Sequence, residues 1–155
     1  MPLEKLKEAI KPSGYFNQKS GYILNFIEFF KGSNTTPNRD ELLAIKGIGQ
    51  ESADSILLYG YNQPYFVVDT YTKRMFVEFG LLNKDVKYSE IQKFLVKEIS
   101  KEVKEKKELV KIYQEFHALI VKHAKEYYSK KPYGVDCPIA LELKSTQNNE
   151  TSKID

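Results

Sequence analysis

Asp69 closes the apolar run Tyr65-Phe66-Val67-Val68 and stands directly before a helical pattern that opens at Thr70. A carboxylate in that place has two physical readings. Its oxygen can cap the helix by accepting N–H groups of the first turn. Alternatively, poorly solvated at the edge of an apolar layer, it can be held for chemistry on a developing positive charge or an attacking water. About 20 residues upstream runs Leu42-Leu43-Ala44-Ile45-Lys46-Gly47-Ile48-Gly49-Gln50-Glu51-Ser52-Ala53. Glycines at i and i+2 allow positive φ and close approach of another group. A helix opening after Gly49 presents free N–H groups suited to a phosphate. The plain alternative is a helical hairpin with a glycine corner. No strand precedes the turn and no third glycine follows at dinucleotide spacing; the G-K-[ST] of a nucleotide-binding loop is missing.

These residues need a helical frame, and the pattern supplies one. Leu3, Leu6, Ala9 and Ile10 form a short stripe stopped by Pro12 and Gly14. Ile23, Phe26, Ile27 and Phe30 predict a helix over 20–30. Lys31–Arg39 reads as a loop, 40–45 and 50–59 as the two arms of the hairpin, and 61–64 as a turn. Helices follow over 70–79, ended by Gly80, over 89–99 and over 109–128. The charged stretch Lys101–Glu108 reads as a solvated face or connector. No internal repeat and no strand pattern stands out, so the expected class is all-α.

Composition bounds the rest. A chain of 155 residues can bury one core. A net charge of +3 permits nucleic-acid binding without demanding it, so any DNA surface must come from local placement of Lys and Arg. A single cysteine, Cys137, excludes an intrachain disulfide and fits a cytoplasmic setting. There is no apolar run of about 18 residues for a membrane span. Met1–Lys11 carries three lysines and two glutamates and is not a secretory signal. His117 and His123 lie six apart on one predicted helix, too far round to share a face, and read as structural residues.

Taken together, the hairpin and the Val68-Asp69-Thr70 segment resemble the endonuclease III-like superfamily of helix-hairpin-helix DNA glycosylases. Leu42–Ala53 matches the L-x-x-[IL]-x-G-[IV]-G-x-x-[ST]-A pattern. Arg74 and Gly80-Leu81 fall where that superfamily's pattern expects them, and Gly14–Lys19 looks like its upstream G-x-[YF]-x-x-K piece. The resemblance implies a helical glycosylase fold that flips a damaged nucleotide out of double-stranded DNA. Asp69 is then the catalytic carboxylate, ionised, stabilising the sugar cation or orienting water. Lys46, Gly47, Ile48, Gly49, Gln50, Glu51 and Ser52 are then the DNA-binding residues, gripping a phosphate with a monovalent cation on the hairpin carbonyls.

Three departures shape the expectation. Bifunctional members carry a lysine two residues after the second glycine; Glu51 occupies that position, which implies hydrolysis without strand nicking. Many members hold a [4Fe–4S] cluster through four cysteines; Cys137 alone remains, Gly134 stands at the position of the preceding ligand, and no cluster or other cofactor is expected. The chain also begins late in the family pattern, so N-terminal helices are expected to be missing, supplied in one reading by a separately encoded partner. Pro12–Lys19, Gly47–Asp54 and Phe116-His117 further resemble the type III 3-methyladenine DNA glycosylases, which act on alkylated purines. The expected organisation is a partial glycosylase domain over 1–143, its helix-hairpin-helix at about 40–59, and a disordered polar tail over 144–155. The rival readings are a non-catalytic DNA-binding hairpin module and an interaction domain that keeps only the scaffold.

Overall fold

The computed structural model describes residues 2–32 and 35–151. Eight α-helices are present among them, and no strand: α1 (Leu3–Ala9), α2 (Phe16–Lys31), α3 (Arg39–Ala44), α4 (Gln50–Ser55), α5 (Thr70–Glu78), α6 (Tyr88–Glu102), α7 (Lys106–Tyr127) and α8 (Pro138–Thr151). A 3₁₀ turn over Lys11–Ser13 follows α1, and α4 continues into a π-helical turn over Ile56–Gly60. None of the described helices is long and apolar enough to cross a membrane.

The all-α expectation holds, and the boundaries move for local reasons. α2 begins at Phe16 rather than near Ser20. Gly14 at φ 66° and Tyr15 at φ 49° turn the chain, and Lys19 Nζ donates to the Ser13 carbonyl at 2.5 Å to hold that turn. Arg39, read as loop, opens α3, because Asn38 caps the helix: its Oδ1 accepts the Glu41 N–H at 2.9 Å and Glu41 returns a bond to the Asn38 N–H at 2.7 Å. The charged stretch after α6 divides into the end of that helix, a short link and the first turn of α7.

The tail expectation is corrected. α8 runs on to Thr151, so the polar residues from 144 are helical as far as they are described. Pro138 pre-sets the first helical turn, and the Ala140 N–H reaches the Cys137 sulfur at 3.4 Å. Polarity alone was a weak argument against a helix with so defined a start. Residues 152–155 lie outside the described part of the chain.

Apolar burial divides into two clusters. Leu42, Ile45, Ala53 and Leu57 pack with Phe26, Phe29, Phe30 and Ile48, seating the hairpin on α2. The larger cluster gathers Leu58, Phe66, Val67, Val68, Met75, Phe76, Ile91, Leu95, Tyr113, Ile120 and Tyr128. Leu57 and Leu58 are neighbours in sequence yet fall in different clusters, because successive side chains leave a helical turn in different directions. That turn is therefore the joint between hairpin and main core, and Asp69 enters at the same level from the buried Phe66–Val68 strand-like run.

Candidate active site

Asp69 is the N-cap of α5. Its Oδ1 accepts both the Thr72 N–H and the Thr72 hydroxyl, each at 2.7 Å. Thr72 is fully buried, so it fixes the carboxylate. Both readings of Asp69 thus describe one side chain: Oδ1 is used by the cap, and Oδ2 is turned away from it toward His117.

His117, expected as a structural residue, is brought beside Asp69: its Nε2 lies 3.9 Å from Asp69 Oδ2, and its Nδ1 is 2.8 Å from the Tyr59 hydroxyl. Burial pushes the imidazole below the ordinary histidine range, with Asp69 pulling the other way. A neutral ring at that distance makes neither an ion pair nor a hydrogen bond with the carboxylate. Tyr59, on the π turn, is 47% exposed, and its phenol is pushed up by partial desolvation and then by the charge of Asp69. The sequence did carry a signal. His117 falls within the stripe of Tyr113, Ile120 and Ala124, one polar ring on the buried face of α7. His123 lies elsewhere, with its Nε2 3.1 Å from the Cys137 sulfur.

The hairpin reaches the same place. Glu51, in the first turn of α4, has its carboxyl raised by partial desolvation and by the charge of Asp69. Lys46, Gly47, Gly49, Gln50, Glu51 and Ser52 are exposed, and Ile48 is tucked against the α2 cluster. The two glycines do different work. Gly47 has φ 103°, and a Cβ there would fall 2.1 Å from Tyr22 Cγ and 2.5 Å from Tyr22 Cβ. Gly49 is extended at φ −94°, and a Cβ on it would meet nothing within 4 Å, so the start of α4 is open to a ligand. Asn25 Nδ2 donates to the Lys46 carbonyl at 3.2 Å and ties the bend to α2. Gly47→Ala is expected to destabilise the chain by about 1–3 kcal/mol, because the contact involves the Tyr22 Cβ and not only its ring. Thermal unfolding of the variant measures this.

A second network was missed altogether. Asp54 is fully buried on α4. Arg39 donates to it through Nε at 2.6 Å and Nη2 at 3.0 Å, Tyr88 through its hydroxyl at 2.7 Å, and Gln92 through Nε2 at 2.8 Å. Gln92 also donates to the Phe66 carbonyl at 2.7 Å, and the Val68 N–H donates to the Tyr88 oxygen at 3.3 Å. One buried carboxylate therefore links α3, α4 and α6 to the run that carries Asp69.

At the other end, Cys137 is buried and Gly134 has φ 66°. A Cβ on Gly134 would lie 2.8 Å from the Tyr128 ring, so tyrosine fills the side of the loop toward which a ligand side chain at 134 would point. Among the described residues, no group of three or more His, Cys, Asp or Glu side chains is arranged to hold a metal ion.

A helical fold with a two-glycine hairpin beside a capped aspartate defines a class. The model of the HhH-GPD superfamily base excision DNA repair protein matches residues 1–101. The chain belongs to this superfamily. It is 40% identical over 148 residues to a protein of Methanocaldococcus jannaschii provisionally named a DNA repair glycosylase, covering 88% of this chain and 64% of the relative. It is 30% identical over 138 residues to endonuclease III of Sulfolobus acidocaldarius, covering 85% of this chain and 58% of that enzyme. The chain therefore spans roughly three fifths of the length of these relatives. An endonuclease III solved as a non-covalent DNA complex superposes with TM-score 0.70 at 24% identity, over 96% of this chain and 68% of that one, a likeness of fold. The H. pylori 3-methyladenine DNA glycosylase bound to 1,N6-ethenoadenine gives TM-score 0.65 at 30% identity, over 81% and 64%.

Proposed function

We propose that this chain hydrolyses the N-glycosidic bond of a damaged base in double-stranded DNA, an alkylated purine above all, and leaves an abasic site without cutting the strand. The carrying observation is the placement of Asp69: one oxygen pinned by Thr72, the other free, and its charge felt by Glu51 at the open start of α4. The hairpin backbone holds a phosphate or a monovalent cation that bridges to one, a contact independent of sequence. Asp69, ionised, faces the sugar as the base departs. An alkylated purine already carries positive charge and is a good leaving group, so a carboxylate and a water suffice. Tyr59, exposed and next to Asp69, is an aromatic face on which such a cationic base can stack. The structural relative with ethenoadenine bound supports a modified purine as the substrate class.

The absence of strand cleavage rests on Glu51, since a carboxylate forms no Schiff base with the sugar. The absence of a cluster rests on a lone thiol and on Tyr128 filling the loop opposite it. The test is an assay on methylated duplex DNA that scores free base and strand breaks separately. Base release with intact strands is expected, and no adduct trapped by borohydride. In Glu51→Lys an amine is placed beside the same sugar, and a borohydride-trapped covalent complex is expected to appear. Release of no base from any alkylated duplex, or strand nicking by the unmodified chain, contradicts the reading. Gly47→Ala is expected to weaken DNA binding at least severalfold; affinity unchanged in a folded variant removes the hairpin from the account.

A further inference from the structure

We propose that His117, held by Tyr59, is a positioning residue for Asp69: its Nε2–H faces the free carboxylate oxygen and sets the direction in which that oxygen points. The inference rests on the glycosylase reading and adds a residue to it.

His117 Nε2 is buried, has no hydrogen-bond partner among the described residues, and faces Asp69 Oδ2 at 3.9 Å. An unsatisfied buried polar atom costs about 1–3 kcal/mol and needs a reason. Its tautomer follows from the neighbours. If Nδ1 carried the proton and gave it to Tyr59, the lone pair of Nε2 would face an anionic oxygen across a buried gap. If Tyr59 donates its hydroxyl proton to Nδ1 instead, Nε2 carries hydrogen and points it at the carboxylate. The second arrangement satisfies both contacts electrostatically. Hydrogen bonds of this kind tighten when substrate closes a site, so 3.9 Å is the open distance of a pair that needs a shift of about 1 Å to bond.

Oδ1 has two donors from Thr72 and Oδ2 has none. Without His117, rotation of the free oxygen is restrained from one side only. With it, donors on both sides leave the remaining lone pairs of Oδ2 aimed outward, toward the sugar. Hydrolysis then balances simply. The C1′–N bond breaks and its electron pair leaves with the base. Water forms the new C1′–O bond, and the proton it loses passes to the Asp69 carboxylate. His117 stays neutral throughout. The groups facing the carboxylate are Glu51 from α4, Tyr59 from the π turn, Thr72 from α5 and His117 from α7. Thr72 donates to it already, and His117 is the group placed to offer a second N–H once the 3.9 Å gap closes.

Three variants and two readouts decide. His117→Phe keeps ring volume and removes the donor. Single-turnover base release is expected to fall about 10–100-fold with DNA affinity unchanged, the scale of a small misplacement of a reacting group. The acid limb of its rate–pH profile is expected to move to higher pH, since a carboxylate that loses a donor takes a proton more readily. His117→Gln, which can offer an N–H from a similar place, is expected to recover part of the rate, and Tyr59→Phe to lose part. Independently of activity, nitrogen NMR of the unmodified chain is expected to show His117 as the Nε2–H tautomer, with a pKa that falls further in Asp69→Asn. Loss of the acid-limb shift, a rate in His117→Phe equal to the unmodified chain, or an Nδ1–H tautomer overturns the proposal. If Asp69→Asn is inactive while His117→Phe keeps the full rate of the unmodified chain, His117 alone is wrong. If the unmodified chain releases no base, the glycosylase reading is wrong, and the tautomer and its coupling to Asp69 still decide the pairing.

Discussion

Asp69→Asn is expected to slow base release by about 1000-fold or more while leaving both fold and DNA affinity in place. The magnitude is that of removing one group matched to charge in a transition state. The fold survives because asparagine caps a helix as well as aspartate does: its carbonyl oxygen takes over the Thr72 N–H and hydroxyl now held by Oδ1 at 2.7 Å. What changes is Oδ2, which becomes an NH₂ and can neither neutralise a sugar cation nor take a proton from water. Affinity for duplex DNA is expected to stay level or rise slightly, since a negative charge facing the phosphates is lost. Single-turnover base release and a binding titration at fixed salt check the two halves. The combination separates a glycosylase from a DNA-binding hairpin. If the asparagine variant releases base at the rate of the unmodified chain, Asp69 is a helix cap and nothing more.

How far the sequence reached depends on the kind of interaction. The hairpin was legible because a bend with Gly47 at φ 103° under the Tyr22 ring strongly favours glycine, so chemistry and sequence coincide there. Asp69 was legible because a cap must sit at a helix start, and the apolar run before it marks that start. Helix existence followed from stripes such as Ile91–Leu95, while ends followed less well: the cap of α3 depends on a reciprocal Asn38–Glu41 pair that a loop-like composition hides. The place of His117 beside Asp69 was not legible. The groups it faces, Tyr59 and Asp69, lie 58 and 48 residues before it in sequence, and no periodicity on α7 can name them. What its own helix did offer, a polar ring in an apolar stripe, marks a buried polar residue without saying what it meets.

On the proposed function the site is built from segments that meet only after folding, and the Asp69 run must then stay in register with the hairpin for the carboxylate and the phosphate contact to address the same nucleotide. Apolar packing does not supply that register, because the two clusters are separate and meet at the π turn. Polar contacts of fixed length do.

Asp54→Ala is accordingly expected to have the largest effect on stability of any single substitution in the site's support. It strips the acceptor from Arg39, Tyr88 and Gln92 together and leaves a guanidinium whose side chain is 23% exposed without its carboxylate. Breaking a buried ion pair by removing one partner costs about 3–5 kcal/mol, which for a chain of this size lowers the unfolding temperature by roughly 6–20 °C. Tyr88 is held protonated by burial and by its bond to Asp54, so it cannot compensate by changing charge. Removing the partner as well should recover part of the loss: Arg39→Ala with Asp54→Ala is expected to be less destabilising than the sum of the two single changes. Urea unfolding of the four proteins measures the coupling. The effect should also reach the chemistry, because Gln92 and Tyr88 bond the backbone of Phe66 and Val68. At a temperature where Asp54→Asn remains folded, its base release is expected to fall more than its DNA affinity, since the hairpin keeps its glycines while Asp69 loses its register. Equal losses in both, or a double variant as unstable as the sum, would mean that the network holds the fold in general and not the alignment of Asp69 with the hairpin.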